Sequence, residues 1–173
     1  MSFPKEDIEA LWCPWRVEYY QARREEKIGD FLLEAARSAD DASHLVVARG
    51  GSGFLIMNRY PYACGHLMAV PNRKVAGMEE LTPEEATEIW QLTIHAQTLL
   101  RETIKAQGFN VGINLGEAAG AGKADHLHVH IVPRWPGDYN FMPVIGATRI
   151  IPEALEPLYR KLTEAHREIG FRN

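Results

Sequence analysis

His126-Leu127-His128-Val129-His130-Ile131-Val132 alternates imidazole and aliphatic side chains without a break as far as Ile131. Side chains two apart on a β-strand share a face. The spacing therefore predicts three histidines on one side of a strand over 126–133, with Leu127, Val129 and Ile131 turned into a core. With seven histidines in 173 residues, chance gives roughly 0.01 such patterns, counting from composition. The rest of the chain is read outward from this strand.

Upstream of it lies a run of small residues. Gly108, Gly112, Gly116, Gly120 and Gly122 are five of the chain's 14 glycines. The segment Gly116-Glu117-Ala118-Ala119-Gly120-Ala121-Gly122-Lys123 lets backbone N–H groups come close to an anion, with Lys123 adding a positive charge. Further back, a strand over 110–115 is expected, and before it a well-marked helix over 83–107. Thr82 supplies an N-cap, Pro83 the first helical position and Glu85 the capping box. Ile89, Leu92, Ala96 and Leu99 form one apolar stripe and Trp90, Ile94 and Ile104 a second, so this helix is expected to bury two sides, one on a sheet and one on a partner subunit.

Three β-type runs precede that helix, at 44–48, 54–57 and 67–70. Gly50-Gly51-Ser52-Gly53 joins the first two as a hairpin. Asp30 to Ala39 reads as a short helix ending at the turn signal Asp40-Asp41. A last helix covers 153–169 on the stripe Leu155, Leu158, Leu162, Ala165 and Ile169. Short connections and strand-dominated order imply an α+β fold, one antiparallel sheet of about five strands with helices packed on it. No repeat or linker divides residues 1–173, so a single domain is expected. An N-terminal arm over 1–28 carries Trp12, Pro14, Trp15, Tyr19 and Tyr20.

Composition narrows the functional classes. Nineteen Lys and Arg against 23 Asp and Glu leave a formal charge of −4, which disfavours a sequence-indifferent nucleic-acid binder. No apolar run reaches membrane-spanning length, and the opening MSFPKEDIEALW has acids where a signal peptide needs an apolar run, so a cytoplasmic protein without membrane contact is expected. Two cysteines, Cys13 and Cys64, cannot build a disulfide framework or a cysteine-based four-ligand zinc site.

Two chemistries suit the histidine run. Imidazoles at i and i+2 can share a metal ion, but the first and third stand about 13 Å apart on an extended strand, with only Asp125 beside them to complete a shell. The other is nucleophilic catalysis at phosphorus. A neutral imidazole attacks to give a phosphoramidate, and its neighbours donate to the phosphoryl oxygens.

The residues resemble the histidine-triad family. Asn58-Arg59-Tyr60-Pro61-Tyr62, Gly65-His66-Leu67-Met68-Ala69-Val70-Pro71, Asn114-Leu115-Gly116, the run 126–132 and Pro133-Arg134 fall in family order. The closing block Pro133 to Val144, and Leu11-Trp12-Cys13-Pro14-Trp15-Arg16, are similar to the branch of diadenosine tetraphosphate phosphorylases and dinucleoside polyphosphate hydrolases. The resemblance implies a homodimer built on an antiparallel sheet, with a dinucleoside polyphosphate or other nucleotide as ligand. It makes His128 the nucleophile that carries the nucleotidyl group, with His126 and His130 assisting around the phosphates and phosphate or water as acceptor. It sets Asn58 at the ribose and Asn114 near the phosphates, beside the loop residues Gly120, Gly122 and Lys123. His66 is divided between lining the pocket and structural hydrogen bonding. No obligatory cofactor is implied, Mg2+ entering only with the polyphosphate. Many relatives carry a C-x-x-C half-site for structural zinc where this chain has Gly29-Asp30-Phe31-Leu32, so zinc is expected to be absent. The alternatives are a nucleotide-binding regulator without turnover and a metal-dependent enzyme using the histidine strand.

Overall fold

The computed structural model describes residues 30–138 and 153–171. The expected N-terminal arm over 1–28, and the block from Tyr139 to Val144, lie outside them. Helix α1, Phe31–Arg37, starts at Asp30, whose side chain accepts from the Leu33 N–H. Arg49 closes its far end by donating to the carbonyls of Ala35, Ala36 and Ser38 at 2.8, 3.3 and 2.8 Å. These are the orphan acceptors that a helix C-terminus leaves behind.

The Asp40-Asp41 turn is a one-turn helix, α2 (Asp41–His44), because the Asp40 carboxylate accepts from the Ser43 N–H at 3.1 Å. Leu45 then turns the chain at φ 61°. Strand β1 consequently runs Val46–Arg49, starting two residues later than expected. Strands β2 (Gly53–Met57) and β3 (Leu67–Pro71) follow. Helix α3, Pro83–Ile104, has the Thr82–Glu85 capping box that its sequence predicts, a device that stabilises a helix start by about 1 kcal/mol. Strands β4 (Gly108–Ile113) and β5 (Val129–Arg134) and helix α4 (Leu155–Ile169) complete the described elements.

The five strands form one antiparallel sheet in the order β1-β2-β3-β5-β4, as the α+β reading expects. One face packs Val47, Leu55, Leu67, Ala69, Val129 and Ile131 against Leu92, Ala96 and Leu99 of α3 and Leu158 and Leu162 of α4. The other packs Val46, Phe54, Ile56, Met68 and Val70 against Leu32 and Ala35 of α1. Neither β4 nor β5 contributes to this second cluster. Among the described residues, α1 thus covers the β1–β3 end of its face and leaves the β5–β4 end to the functional groups.

Helix α3 turns one of its two apolar stripes into the core of this chain, with Ile104 of the other packed at its margin. Ile89, Leu92, Ala96 and Leu99 are in the core, while Trp90 and Ile94 are half-exposed or more. Trp135, whose role the sequence leaves undecided, donates its indole N–H to the carbonyls of Ile104 and Lys105 at 3.2 and 3.0 Å and so closes the C-terminus of α3. No described helix is long and apolar enough to cross a membrane.

Candidate active site

Strand register brings the expected residues onto one face. Met68 pairs with His130 and Gly112 with His130 from the other side. Residues directly opposite, and those two apart, share a face. His66 and Asn58, which continue β3 and β2 by one residue, therefore stand on the side of His130. Extending the β4–β5 register from Ile113↔Val129 sets Asn114 across from His128. The ends of β2, β3 and β4 meet β5 here, with Asn58, His66 and Asn114 on the face that carries His128 and His130. Asn114 makes no side-chain hydrogen bond among the described residues, so its amide is available to a ligand.

The first half of the histidine run is not strand. Regular pairing starts at Val129, three residues later than the alternation predicts. The backbone before it has other partners. His126 N–H turns back to the Lys123 carbonyl at 3.4 Å and Leu127 N–H donates to the Val75 carbonyl at 2.6 Å. The aliphatic half of the expectation holds, with Leu127, Val129 and Ile131 all in the core. The imidazoles do not share one open side. His126 is 0% exposed. Its Nε2–H donates to the Pro71 carbonyl at 2.9 Å.

What His126 offers the site is its backbone. The His128 Nδ1–H donates to the His126 carbonyl at 2.8 Å. A carbonyl only accepts, so this contact fixes the proton on Nδ1 and leaves Nε2 with its lone pair. Burial lowers the His128 pKa below 6.5, and the nearby His126 ring adds to it against the opposing pull of that hydrogen bond. The residue is thus an uncharged imidazole at neutral pH with a defined nucleophilic atom.

His130 is oriented by a second chain of bonds. The Tyr62 N–H donates to His66 Nδ1 at 3.2 Å, and the Asn58 amide nitrogen lies 3.3 Å from the same atom. His66 must then carry its proton on Nε2, which meets His130 Nδ1 at 3.0 Å. His130 in turn keeps its proton on Nε2, beside the His128 ring, whose centroid is 4.8 Å away in edge-to-face contact. Burial, with the His128 ring next in effect, lowers the His130 pKa to about 4. The pair offers one nucleophilic nitrogen and one N–H donor, both on neutral rings. His66 serves as structural hydrogen bonding directed at the site. No motif spacing gives its contact with His130, since the two are 64 positions apart.

Of the loop, Gly116 and Gly120 have φ of 76° and 82°, a conformation open to glycine at little cost. They close a tight turn in which the Ala121 N–H reaches the Gly116 carbonyl at 3.3 Å. Gly122 is half-buried in the same turn. Lys123, expected at the phosphates, instead directs its ammonium to Asp125 at 3.0 Å and Asp30 at 3.8 Å. Lys74 bridges the same two carboxylates at 2.5 and 2.6 Å. Among the described residues no three His, Cys, Asp or Glu converge on a metal position.

Comparison with known proteins agrees with this geometry. The HIT domain family matches residues 40–137. The chain belongs to the HIT family. HIT relatives include the AP-4-A phosphorylase of Mycobacterium tuberculosis, 38% identical over 164 residues, 91% of this chain and 84% of that protein. The asymmetrical bis(5'-nucleosyl)-tetraphosphatase of Schizosaccharomyces pombe is 33% identical over 84 residues, 49% of this chain and 46% of that one. Among solved HIT structures, a zinc-bound histidine triad family protein from Mycobacterium smegmatis superposes with a TM-score of 0.63 at 22% identity, covering 79% of this chain and 92% of its own. That similarity concerns the fold.

Proposed function

We propose that this HIT protein cleaves dinucleoside polyphosphates by phosphorolysis, through a nucleotidyl group held on His128 Nε2. The observation that carries the reading is the 2.8 Å bond from His128 Nδ1–H to the His126 carbonyl, which leaves one nucleophilic lone pair. In the first step Nε2 attacks the α-phosphorus. An N–P bond forms as the bond from phosphorus to the bridging oxygen breaks, and a nucleoside polyphosphate departs. The ring becomes cationic, and the carbonyl at Nδ1 stabilises that charge. The His130 Nε2–H and the Asn114 amide donate to the non-bridging oxygens, where negative charge develops. In the second step an oxygen of inorganic phosphate attacks the same phosphorus, the N–P bond breaks, and a nucleoside diphosphate leaves. Similarity to an AP-4-A phosphorylase over 91% of the chain supports phosphate as acceptor. Hydrolysis is the outcome in which water takes its place.

The reading includes a homodimer. Supporting it, β4 is a sheet edge with Val111 exposed, and Trp90 and Ile94 stand uncovered on α3, whose Arg101 lies 5.0 Å over the Phe109 ring of that strand. Incubating the protein with diadenosine tetraphosphate, with and without inorganic phosphate, tests the reaction. ADP with ATP, formed only with phosphate, is the expected product pair. AMP with ATP at equal rate in both samples would identify a hydrolase, and no turnover of any dinucleoside polyphosphate would remove the enzyme reading.

A further inference from the structure

Asp30, Lys74, Lys123 and Asp125 form a closed ring of alternating charges beneath His126. Lys74 joins Asp30 at 2.5 Å and Asp125 at 2.6 Å; Lys123 joins Asp125 at 3.0 Å and Asp30 at 3.8 Å. The four residues come from three places: the cap of α1, the segment after β3, and the glycine-rich loop before β5. His126 Nδ1 faces this ring 3.8 Å from Asp30 Oδ1, is buried, and has no hydrogen-bond partner. Both carboxylates belong to the ring in fact as well as geometry. Burial pushes Asp125 up, but its hydrogen bonds to Lys74 and Lys123 outweigh it and bring the pKa to about 2. Burial pushes Asp30 up as well, but its bond to Lys74, the Lys123 charge and the Leu33 N–H together hold it below its ordinary value.

The loop that must deliver the His126 carbonyl is otherwise thinly anchored. Between Gly116 and His126 its side chains are small or solvent-facing apart from Ala121, which is buried, and Lys123 and Asp125. Asp125 immediately precedes His126 and Lys123 stands three positions before it. Their hold on Lys74 and Asp30 fixes the path of the chain at the point where the His126 carbonyl receives the His128 Nδ1–H. Isolated surface ion pairs contribute little, but a network that joins separate segments constrains geometry.

We propose that Asp30 is a positioning residue of the reaction. With Lys74, Lys123 and Asp125 it fixes residues 123–126, and through the His126 carbonyl it holds the Nε2 lone pair of His128 on the ligand side. Asp30 touches no substrate. The inference rests on the assignment of His128 as nucleophile, and it extends the site to the start of α1.

The test separates this role from helix capping. Asp30→Asn keeps an equally good N-cap and removes the charge; Lys74→Met removes the bridge without touching α1. In the 15N-labelled protein at neutral pH, the imidazole nitrogens of His128 report the tautomer directly. Wild type is expected to show one state, Nδ1 protonated and Nε2 bare, and both variants a mixture of tautomers. For cleavage of diadenosine tetraphosphate, kcat is expected to fall about tenfold with KM within about twofold, the pattern of an interaction realised in the transition state. An unchanged His128 spectrum in both variants overturns the proposal, whatever happens to thermal stability. If the spectra respond while wild type cleaves no dinucleoside polyphosphate, the positioning role stands and the proposed reaction falls.

Discussion

Replacing His66 with Phe isolates the bond that sets the His130 tautomer. His66 is 1% exposed, between Tyr62 and His130 at ring-centroid distances of 4.7 and 5.1 Å. A phenyl ring of similar size keeps the packing and deletes three hydrogen bonds, from the Tyr62 N–H and the Asn58 amide and to His130 Nδ1. Each group left unpaired in a buried setting costs about 1–3 kcal/mol. The expected loss of stability is therefore on the order of 2–6 kcal/mol, taking the Tyr62 N–H and His130 Nδ1 as the groups left unpaired. The effect on catalysis is separate. Without the His66 donor nothing forces the His130 proton onto Nε2, and the donor aimed at the phosphoryl oxygens is lost from part of the population. One neutral hydrogen bond is worth about 1 kcal/mol, and 1.4 kcal/mol is tenfold in rate. The variant should lose about three- to tenfold in kcat, with KM nearly constant. Steady-state cleavage of diadenosine tetraphosphate, with urea unfolding on the same preparations, measures both. Wild-type kcat in a folded but destabilised variant would refute the claim that the His66–His130 bond serves the reaction.

Three further outcomes follow from the structure. Because burial holds His128 below 6.5 and His130 at about 4, kcat/KM should stay level as pH falls through neutrality and drop with a midpoint below 6.5; a midpoint at or above 6.5 would contradict the buried geometry. His95 is bonded to His166 across α3 and α4 at 2.9 Å, and burial, then the His166 ring, lowers its pKa from 6.5 to about 4. The unfolded chain then binds the extra proton first, so stability rises with pH between about 4 and 6.5, and His95→Gln should flatten that slope in Tm measured across the same range. Gly65 has φ 79°, and a Cβ there would lie 2.6 Å from Ile104 Cδ1 and 2.8 Å from Leu100 Cδ2; Gly65→Ala should destabilise by about 1–3 kcal/mol by urea titration, and an unchanged midpoint would show that the α3 side chains yield freely.

Much of this site was legible before any coordinates, and the exceptions have physical causes. Alternation in 126–131 correctly assigned Leu127, Val129 and Ile131 to the core, because period-two burial is a property of the backbone. It could not show that strand pairing begins only at Val129, since the partners that divert His126 and Leu127 are Lys123 and Val75, one in a loop and one 52 positions away. The capping box at Thr82 was readable because both its members are local. Lys123 read as a phosphate ligand from its glycine-rich setting, yet its charge is met by Asp125 and Asp30. In sequence Asp30 reads as the start of a short helix and as a residue in place of a cysteine motif of relatives. The pairs His66–His130 and His95–His166 join residues 64 and 71 positions apart, and only the fold brings them together.

The central claim is that His128 Nε2 carries the nucleotidyl group. Rapid acid-free quenching of the protein with diadenosine tetraphosphate in the absence of phosphate, followed by peptide mass spectrometry, tests it directly. The account predicts an adenylyl group on the peptide containing His126, His128 and His130, assigned by fragmentation to His128, discharged on adding phosphate, and absent in His128→Ala. An adenylyl group on His126 or His130 in the wild type, or full turnover by His128→Ala, would contradict it.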